Sequence, residues 1–317
     1  MTNSFQEILD RQGVVILDGG LATCLEDQGH SLSSQLWSAK MLIDSPHEIS
    51  AVHHSFLGAG ADCITTASYQ ASYEGFSHFG FDEAGTDELL IRSVELALDS
   101  VNDFWSNLPR PSSRIRPLVA ASIGPYGAYL ADGSEYDGCY GITDQDLIDF
   151  HKRRFSLFAT SGADLVVCET IPSIDEAGVL LDLFDETPNA HGWISFSCRD
   201  GGHLSDGSSI ESAVDLCEDT EGLVGVGVNC TAPRFVNELI TRIQSRTERA
   251  VIVYPNSGED WDATNKRWVG ADSGEDWVEM AVMWRRTGAR GIGGCCRIGP
   301  EVIEQLRSQI VPIGSPD

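Results

Sequence analysis

The stretch TSGADLVV, residues 160–167, joins the end of a helical pattern to an apolar run, and the chain repeats this arrangement twice. LGAGADCI at 57–64 and RTGARGIG at 286–293 show the same Gly-Ala pair at the point where a helical pattern gives way to a strand-like run. A glycine that ends a helix in the left-handed conformation suits a short helix-to-strand loop. The repetition predicts a fold built from successive strand–helix units.

Eight short apolar runs alternate with longer helical patterns. The runs are GVVILD (13–18), ADCITT (61–66), PLVAASIG (117–124), ADLVVCE (163–169), HGWISFS (191–197), LVGVGVN (223–229), AVIVYP (250–255) and ARGIGG (289–294). Near-continuous apolar strands are typical of a parallel sheet covered by helices. Helix starts are marked between them, as at Ser173 and Glu176, which have the spacing of a capping box.

Eight such units without a linker predict the α/β class and one (β/α)8 TIM barrel, a single domain over residues 1–317. An open doubly wound sheet is the alternative. It is disfavoured because the count is eight and because no G-x-G-x-x-G follows the first run: DGGLAT at 18–23 lacks that spacing.

Composition restricts the partners. The net charge is −27 and only three lysines are present, which disfavours nucleic acid and anionic membrane surfaces, because both require Lys and Arg. A high-salt cytoplasm or biased codon usage could each explain so acidic a surface. The start of the chain shows no secretory pattern, no run of 18 apolar residues exists, and the nine cysteines are scattered, so we expect a cytoplasmic protein with reduced thiols.

Cysteines follow two of the predicted strands at their carboxyl ends, where TIM barrels build their active sites. Cys230 follows the sixth strand, and Cys295 and Cys296 follow the eighth. These strands flank the seventh, so the three thiols are expected to lie close together at the rim, and Gly293-Gly294 would permit a sharp turn. Three thiolates with one open position are a known zinc arrangement. The alternative is that the cysteines pack the barrel mouth as small apolar residues.

Two carboxylates, Asp18 and Glu169, end the first and fourth predicted strands. They could act as an acid–base pair, or bind the ammonium group of an amino acid through charge-assisted hydrogen bonds. Each could also do no more than cap the turn that follows it.

Several longer motifs carry a family resemblance. They are LDGGLATCLEDQG near the start, LWSA at 36–39, ITTASYQAS at 64–72, SIGPYGAYLADGSEYDGCY at 122–140, ETIPS at 169–173, GVNCTAP at 227–233, YPNSGEDWD at 254–262 and GARGIGGCCR at 288–297. The chain resembles the zinc-dependent homocysteine S-methyltransferases over residues 17–297, and the pairing of GVNC with a later GGCC is the specific part. Within that family, the 122–136 motif resembles members that use S-methylmethionine.

The resemblance implies Zn²⁺ as cofactor, held at the ends of the sixth and eighth strands by Cys230, Cys295 and Cys296. It implies that Asp18 and Glu169 hold the amino group of homocysteine, and that Gly19 and Thr66 line the same pocket. On the donor side it points to Trp37, which falls where betaine-using members place an aromatic residue near the donor cation.

Three residues of the 122–140 motif could also contact the donor. Aromatic faces of Tyr126 and Tyr136 could hold a sulfonium by cation–π contact, and Glu135 could add negative charge. The alternative is that 124–140 forms a glycine-rich lid over the barrel mouth.

The predicted function is therefore zinc-dependent methyl transfer from a sulfonium donor, S-methylmethionine or S-adenosylmethionine, to the thiol of homocysteine. The predicted partners are these small molecules. Two alternatives remain from the residues alone: a lyase or hydrolase that uses Asp18 and Glu169 with structural cysteines, and a non-enzymatic zinc or redox sensor. The sequence specifies neither the oligomeric state nor whether selenium analogues or other thiols are accepted.

Overall fold

The protein is described by a computed structural model over residues 4–30, 32, 36–109, 112–262, 267–269 and 276–311. Eight parallel strands correspond to the eight predicted runs. They are β1 Val15–Ile16, β2 Cys63–Thr65, β3 Leu118–Ile123, β4 Leu165–Ile171, β5 Gly192–Phe196, β6 Leu223–Asn229, β7 Ala250–Tyr254 and β8 Ala289–Ile292.

The sheet closes on itself. Its hydrogen-bonded order is β1-β8-β7-β6-β5-β4-β3-β2, and a parallel bridge between Leu17 and Cys63 joins the two ends. The amide of Asp18 also donates to the carbonyl of Cys63 at 3.1 Å. This closure confirms the predicted (β/α)8 barrel and rules out the open sheet.

Helices surround the barrel. They are α1 Ser4–Gln12, α2 Leu21–Asp27, α3 Met41–Asp44, α4 Pro46–Ala59, α5 Tyr73–Ser77, α6 Glu83–Asn107, α7 Tyr126–Leu130, α8 Asp144–Ala159, α9 Ile174–Glu186, α10 Ile210–Leu216, α11 Pro233–Gln244, α12 Trp277–Thr287 and α13 Pro300–Ile310. Short 3₁₀ helices span Trp37–Lys40 and Ser134–Tyr136, and two antiparallel strands, Asp260–Asp262 and Arg267–Val269, follow β7. Within the described ranges, no helix is both long and apolar enough to cross a membrane.

Two of the three repeated Gly-Ala pairs end helices as predicted, and the third lies just beyond a helix end. Gly60 and Gly288 are the C-cap residues of α4 and α12, with φ of 115° and 129°. Gly162 also has a positive φ of 91°, but it lies two residues beyond Thr160, the C-cap of α8. Left-handed φ is accessible to glycine at little cost, which explains its place at all three helix-to-strand connections.

Apolar residues form two layers. One cluster fills the barrel interior and includes Val167, Trp193 and Ile252, and α1 packs against it through Phe5 and Ile8. The ring of Phe5 lies 6.2 Å from that of Trp193. A larger cluster lies between the strands and the surrounding helices. The interior is therefore filled by side chains, and space for a ligand is found at the carboxyl ends of the strands.

Glycine in β6 allows an unusually close approach of β7. A Cβ atom on Gly227 would lie 1.7 Å from the carbonyl oxygen of Ile252, its register partner in β7. A backbone oxygen cannot rotate away as a side chain does. The glycine is therefore required for the spacing of the two strands that lead to Cys230 and Tyr254.

We predict opposite stability effects for two Gly→Ala substitutions. Gly227→Ala should lower the free energy of unfolding by about 2–3 kcal/mol, because the new methyl group overpacks a backbone contact. Gly58→Ala is the control: Gly58 is exposed in α4, and a Cβ atom added there would have no neighbouring atom within 4 Å. Alanine at this position should raise stability by about 0.5–1 kcal/mol through its higher helix propensity. Urea unfolding measures both, and equal effects would contradict the close-approach argument.

Candidate active site and metal centre

A cavity of about 320 Å³ opens at the carboxyl ends of the strands. Its wall is built from residues at or just after the carboxyl ends of β1, β2, β4, β6, β7 and β8, together with the 3₁₀ helices at 37–40 and 134–136. All three rim cysteines, both strand-end carboxylates and most of the predicted donor-side residues lie in this one wall. This is the place where a TIM barrel positions reactive groups.

The three rim cysteines converge as the strand order predicts. Cys230, Cys295 and Cys296 have their sulfur atoms within 4.8 Å of one another. The Sγ of Cys296 lies 3.8 Å from that of Cys230 and 4.0 Å from that of Cys295. Tetrahedral coordination with metal–sulfur bonds of about 2.3 Å places sulfur ligands about 3.8 Å apart. Two of the three separations therefore already fit a metal held by three thiolates.

The third pair differs from the sequence-based expectation of reduced thiols. Cys230 and Cys295 form a disulfide, with their Cα atoms 5.5 Å apart. The same convergence of strand ends that suits a metal also suits this bond, because a disulfide needs Cα atoms at about this distance. Reduction of the bond is required before the two residues can act as ligands, since only thiolates bind the metal.

Backbone packing, and not a glycine turn, sets the position of the cysteine pair. Gly293 and Gly294 do not use the left-handed freedom of glycine, because neither has a positive φ; the chain turns at Cys296-Arg297, and Cys230 and Arg297 have φ of 45° and 70°. Cβ atoms on Gly293 and Gly294 would lie 2.5 Å and 2.2 Å from side-chain atoms of Leu17 and Ile298. These glycines therefore let the segment pack tightly against its neighbours.

Asp18 and Glu169 are buried in the cavity wall, with 3% and 8% of their surface exposed. Burial raises the pKa of Asp18 to about 8, although the backbone and hydroxyl of Thr65 donate to it and lower that pKa, and the charge of Glu169 adds to the rise. Burial also raises the pKa of Glu169, against hydrogen bonds from Ser122 and Tyr254. A cation between the two carboxyl groups would offset this cost and favour their ionised forms.

The other two predicted homocysteine-pocket residues also lie in the wall, with additional structural roles. Gly19 approaches the chain after Cys296, since a Cβ there would be 2.3 Å from the carbonyl oxygen of Ile298. Thr66 uses its hydroxyl oxygen to accept from the amide of Ser122 at 3.0 Å, and it shares a 2.6 Å hydrogen bond with Ser68.

Three of the predicted donor-side residues, Trp37, Glu135 and Tyr136, lie in the cavity wall. The ring of Trp37 meets that of Tyr69 edge-to-face, with centroids 6.2 Å apart. Burial raises the pKa of Glu135 to about 7; hydrogen bonds from its own amide and that of Gly133 lower it, and the charge of Asp132 raises it. Aromatic faces and a carboxylate thus occur together on this side of the cavity.

Tyr126, the fourth predicted donor-side residue, lies outside the cavity wall, so the structure does not bring it together with the other three. Its ring packs among those of Tyr129, Tyr140 and Phe150, with centroids 5.0–5.6 Å apart. Its amide donates to Glu176 at 2.6 Å. Tyr126 therefore anchors the rim segment from outside the cavity.

The anchor continues into a buried polar network. Glu176, which has no exposed surface, also accepts from the hydroxyl of Tyr140 at 2.9 Å and pairs with Nε2 of His151 at 2.8 Å. Nη2 of Arg154 lies 2.9 Å from Nδ1 of His151. Arginine can only donate, so Nδ1 accepts and Nε2 carries the proton donated to Glu176. Burial lowers the pKa of His151, which favours this neutral form.

Arg154 extends the network to a second rim segment. It donates to the carbonyls of Ala71 at 2.8 Å and Gly124 at 2.9 Å. The network therefore joins α8 and α9 to both ends of the 124–140 segment and to the residues after β2. The sequence analysis interpreted Ser173 and Glu176 as a capping box, and only one of the two capping hydrogen bonds forms. Ser173 accepts from the amide of Glu176, while the Glu176 side chain accepts from the network.

Several residues of the cavity wall have a strained backbone conformation, which the sequence analysis did not predict. Six described non-glycine residues have a positive φ, and four of them line the cavity: Trp37, Ala131, Thr170 and Cys230. Such conformations persist only where surrounding packing enforces them, and they concentrate at functional sites. Tyr69 and Gln70 are further wall residues that the sequence reasoning missed, although both lie in the quoted motif ITTASYQAS.

Comparison with known proteins gives a consistent result. The family profile described as "Homocysteine S-methyltransferase" matches residues 15–310. The chain is 44% identical to "Homocysteine S-methyltransferase YbgG" of Bacillus subtilis, over 96% of each chain. It also resembles crystal structures of the homocysteine methyltransferase MmuM from Escherichia coli at 38% identity. The metallated form has a TM-score of 0.86 and covers 96% of this chain and 99% of that one, and the oxidised form has a TM-score of 0.87 with 97% and 99%.

We predict that Glu176→Gln destabilises the fold by about 3 kcal/mol, because it removes one of the negative charges that act on the buried Arg154 and replaces an acceptor with a donor. The control is Glu186→Gln on the same helix, which removes only an exposed ion pair with Lys152 and should have little effect. Chemical denaturation measures both. Similar stabilities for the two variants would show that the network is dispensable.

Proposed function

The chain belongs to the homocysteine S-methyltransferase family, and from this premise we propose that it moves a methyl group from a sulfonium donor, S-methylmethionine or S-adenosylmethionine, to the thiol of L-homocysteine, with Zn²⁺ as cofactor. The observation that carries the proposal is the meeting of three cysteine sulfurs and two buried carboxylates in one cavity. Family membership favours this reaction over the acid–base enzyme and over a non-enzymatic sensor.

The donor set fits zinc. Cys230, Cys295 and Cys296 would supply three thiolates and leave one position for substrate sulfur, which is an arrangement of catalytic zinc sites. Burial raises the pKa of Cys296 to about 12, and the charge of Glu26 adds to it, so a bound cation is needed to keep this residue ionised. When bound, zinc would favour the thiolate form of homocysteine, whose free thiol is mostly protonated at neutral pH.

The protein's own residues would bind and align the two substrates. Asp18 and Glu169 would hold the ammonium of homocysteine, with Gly19 and Thr66 beside it, and this orients the sulfur towards the cysteine cluster. Trp37, Glu135 and Tyr136 would hold the sulfonium through ring faces and negative charge.

The chemical step needs alignment more than acid–base help. Homocysteine sulfur attacks the methyl carbon, the bond from that carbon to the donor sulfur breaks, and its electron pair stays on the donor sulfur. The sulfonium charge is thereby lost and the donor leaves as a neutral thioether, methionine in the case of S-methylmethionine. The homocysteine thiol releases its proton to solvent, so that one thiol and one sulfonium give two neutral thioethers and one proton. Catalysis is then mainly the positioning of the two sulfurs and the carbon in line.

The cysteines must be reduced for this function, so we place the reaction in the cytoplasm, where thiols are kept reduced. We predict about one zinc per reduced chain and methionine formation from homocysteine with a sulfonium donor. Oxidation to the Cys230–Cys295 disulfide should abolish both, and a thiol reductant should restore both. Metal analysis and a methionine assay measure these outcomes.

Cys230→Ser should lose the zinc and the activity, whereas Cys139→Ser should retain both, because Cys139 is an exposed cysteine outside the cluster. An active protein free of zinc would overturn the metal's role. A zinc-loaded protein that is inactive with every sulfonium donor would instead support the sensor.

The pKa of Glu135 predicts a pH effect on donor binding. A carboxyl group with a pKa of about 7 is mostly protonated at pH 6 and mostly ionised at pH 8, so its attraction for a cationic donor rises with pH. If only the ionised form binds, the KM for S-methylmethionine should fall by about tenfold between pH 6 and pH 8. In Glu135→Gln the KM for S-methylmethionine should be higher than that of wild type at pH 8 and should hardly change between pH 6 and pH 8. A slope that persists in the variant would assign the titration to another group.

A further inference from the structure

Two hydrogen-bond acceptors in the cavity wall have no partner within the described part of the chain. They are Oε1 of Gln70 and Oε2 of Glu135, and both atoms are buried. Buried polar atoms are nearly always hydrogen-bonded, so an unpartnered acceptor beside a cavity calls for an explanation. Neither residue's free acceptor is used by the substrate contacts proposed for Asp18 and Glu169.

The orientation of the Gln70 amide is determined by its surroundings. Gln70 is 9% exposed, and its Nε2 donates to the carbonyl of Ala128 at 2.6 Å. Rotation of the amide by half a turn would set two oxygen atoms against each other, because a carbonyl cannot donate. Oε1 is therefore held as the free acceptor.

The two acceptors lie on the same side of the cavity. Gln70 is tied to α7 through Ala128, and α7 packs directly on Glu135: a Cβ on Gly127 would lie 2.4 Å from the amide nitrogen of Glu135. The backbone of Glu135 is held in turn by Ser197, whose hydroxyl donates to its carbonyl at 3.0 Å. The Gln70 side chain and the Glu135 backbone are thus both held by contacts on this side of the cavity.

This side of the cavity is the aromatic one. Gln70 follows Tyr69, whose ring contacts Trp37, and the charge of Glu135 acts on the Tyr69 hydroxyl, whose pKa is raised by burial first and by that charge second. A carboxylate oxygen and an amide oxygen together suit a group with several N–H donors and a positive charge. A sulfonium has no N–H, so its own charge would leave Gln70 unpartnered.

We propose that Gln70 and Glu135 form a second ammonium subsite, which binds the α-amino group of the methyl donor. This inference rests on the proposed function and adds to it the residues that would recognise the α-ammonium group, which both proposed donors carry. Gln70 is then a specificity-determining residue, because a donor without the ammonium leaves both acceptors unpaired in the complex.

The test compares two donors with homocysteine as acceptor. S-methylmethionine carries the ammonium, and 4-(dimethylsulfonio)butanoate is the same molecule without it. Zinc-loaded wild type should prefer S-methylmethionine by at least about tenfold in kcat/KM. Gln70→Leu, close in size but without an acceptor, should raise the KM for S-methylmethionine by about tenfold and change the kcat/KM of the desamino donor by less than about twofold.

Controls separate this role from a structural one. Gln145→Leu makes the same chemical change at an exposed position in the first turn of α8 and should leave the donor ratio unchanged. The KM for homocysteine and the zinc content should also be unchanged in Gln70→Leu, because its acceptor lies on the donor side. An equal loss for both donors, or a parallel rise in the KM for homocysteine, would indicate a general packing role and overturn the inference.

The outcomes also separate this inference from the function on which it rests. Wild type that forms no methionine from either donor overturns the proposed function and the subsite together. Wild type that is active, with a donor ratio that Gln70→Leu does not change, overturns the subsite alone and leaves methyl transfer intact.

Discussion

The cavity concentrates acidic groups that the protein itself does not neutralise. Burial raises the pKa of Asp18, Glu169 and Glu135, and three cysteine sulfurs lie within 4.8 Å of one another. Burial disfavours the ionised form of an acid, and a nearby cation or hydrogen-bond donors must compensate for the lost hydration. Each part of the proposed reaction brings such a cation: a metal at the thiols, an ammonium at the strand-end carboxylates, and a sulfonium with its own ammonium at the aromatic side. The need for charge compensation therefore supports a different proposed cation for each of the three acidic parts of the cavity.

That arrangement depends on rigid support from outside the cavity. Parallel strands bring their carboxyl ends to one rim, but the side chains there are aimed by strained backbone at Trp37, Thr170 and Cys230. The buried network of Glu176, His151 and Arg154 fixes the segments that carry the donor-side residues. Such strain is retained only where the surrounding packing determines the conformation. The helices behind the rim, as well as the rim itself, therefore fix the positions of the predicted donor-side residues.

The sequence predicted the barrel and the meeting of three cysteines at its rim, and it failed where contacts are distant in the chain. Eight apolar runs specify eight strands, and once their order is known Cys230 must face Cys295 and Cys296. Gln70 was missed because it lies five residues beyond β2, where periodicity carries no information about direction. Glu176 was misread because capping-box spacing describes only local hydrogen bonds, whereas its partners come from α8 and the 124–140 segment. Backbone φ angles are likewise set by packing that spacing alone does not reveal.

A disulfide and the proposed metal would each relieve the electrostatic repulsion among the three rim cysteines. Three thiolates this close repel one another, and the repulsion is removed either by a divalent cation among them or by oxidation of two of them. The fold enforces their proximity through the close packing of Gly293 and Gly294, and proximity does not distinguish the two chemistries. Metal supply and the redox state of the surroundings therefore decide which one prevails. Because the bond between Cys230 and Cys295 consumes two of the three proposed ligands, oxidation and the proposed metal binding exclude each other, and the proposed methyl-transfer site would form only when these cysteines are reduced.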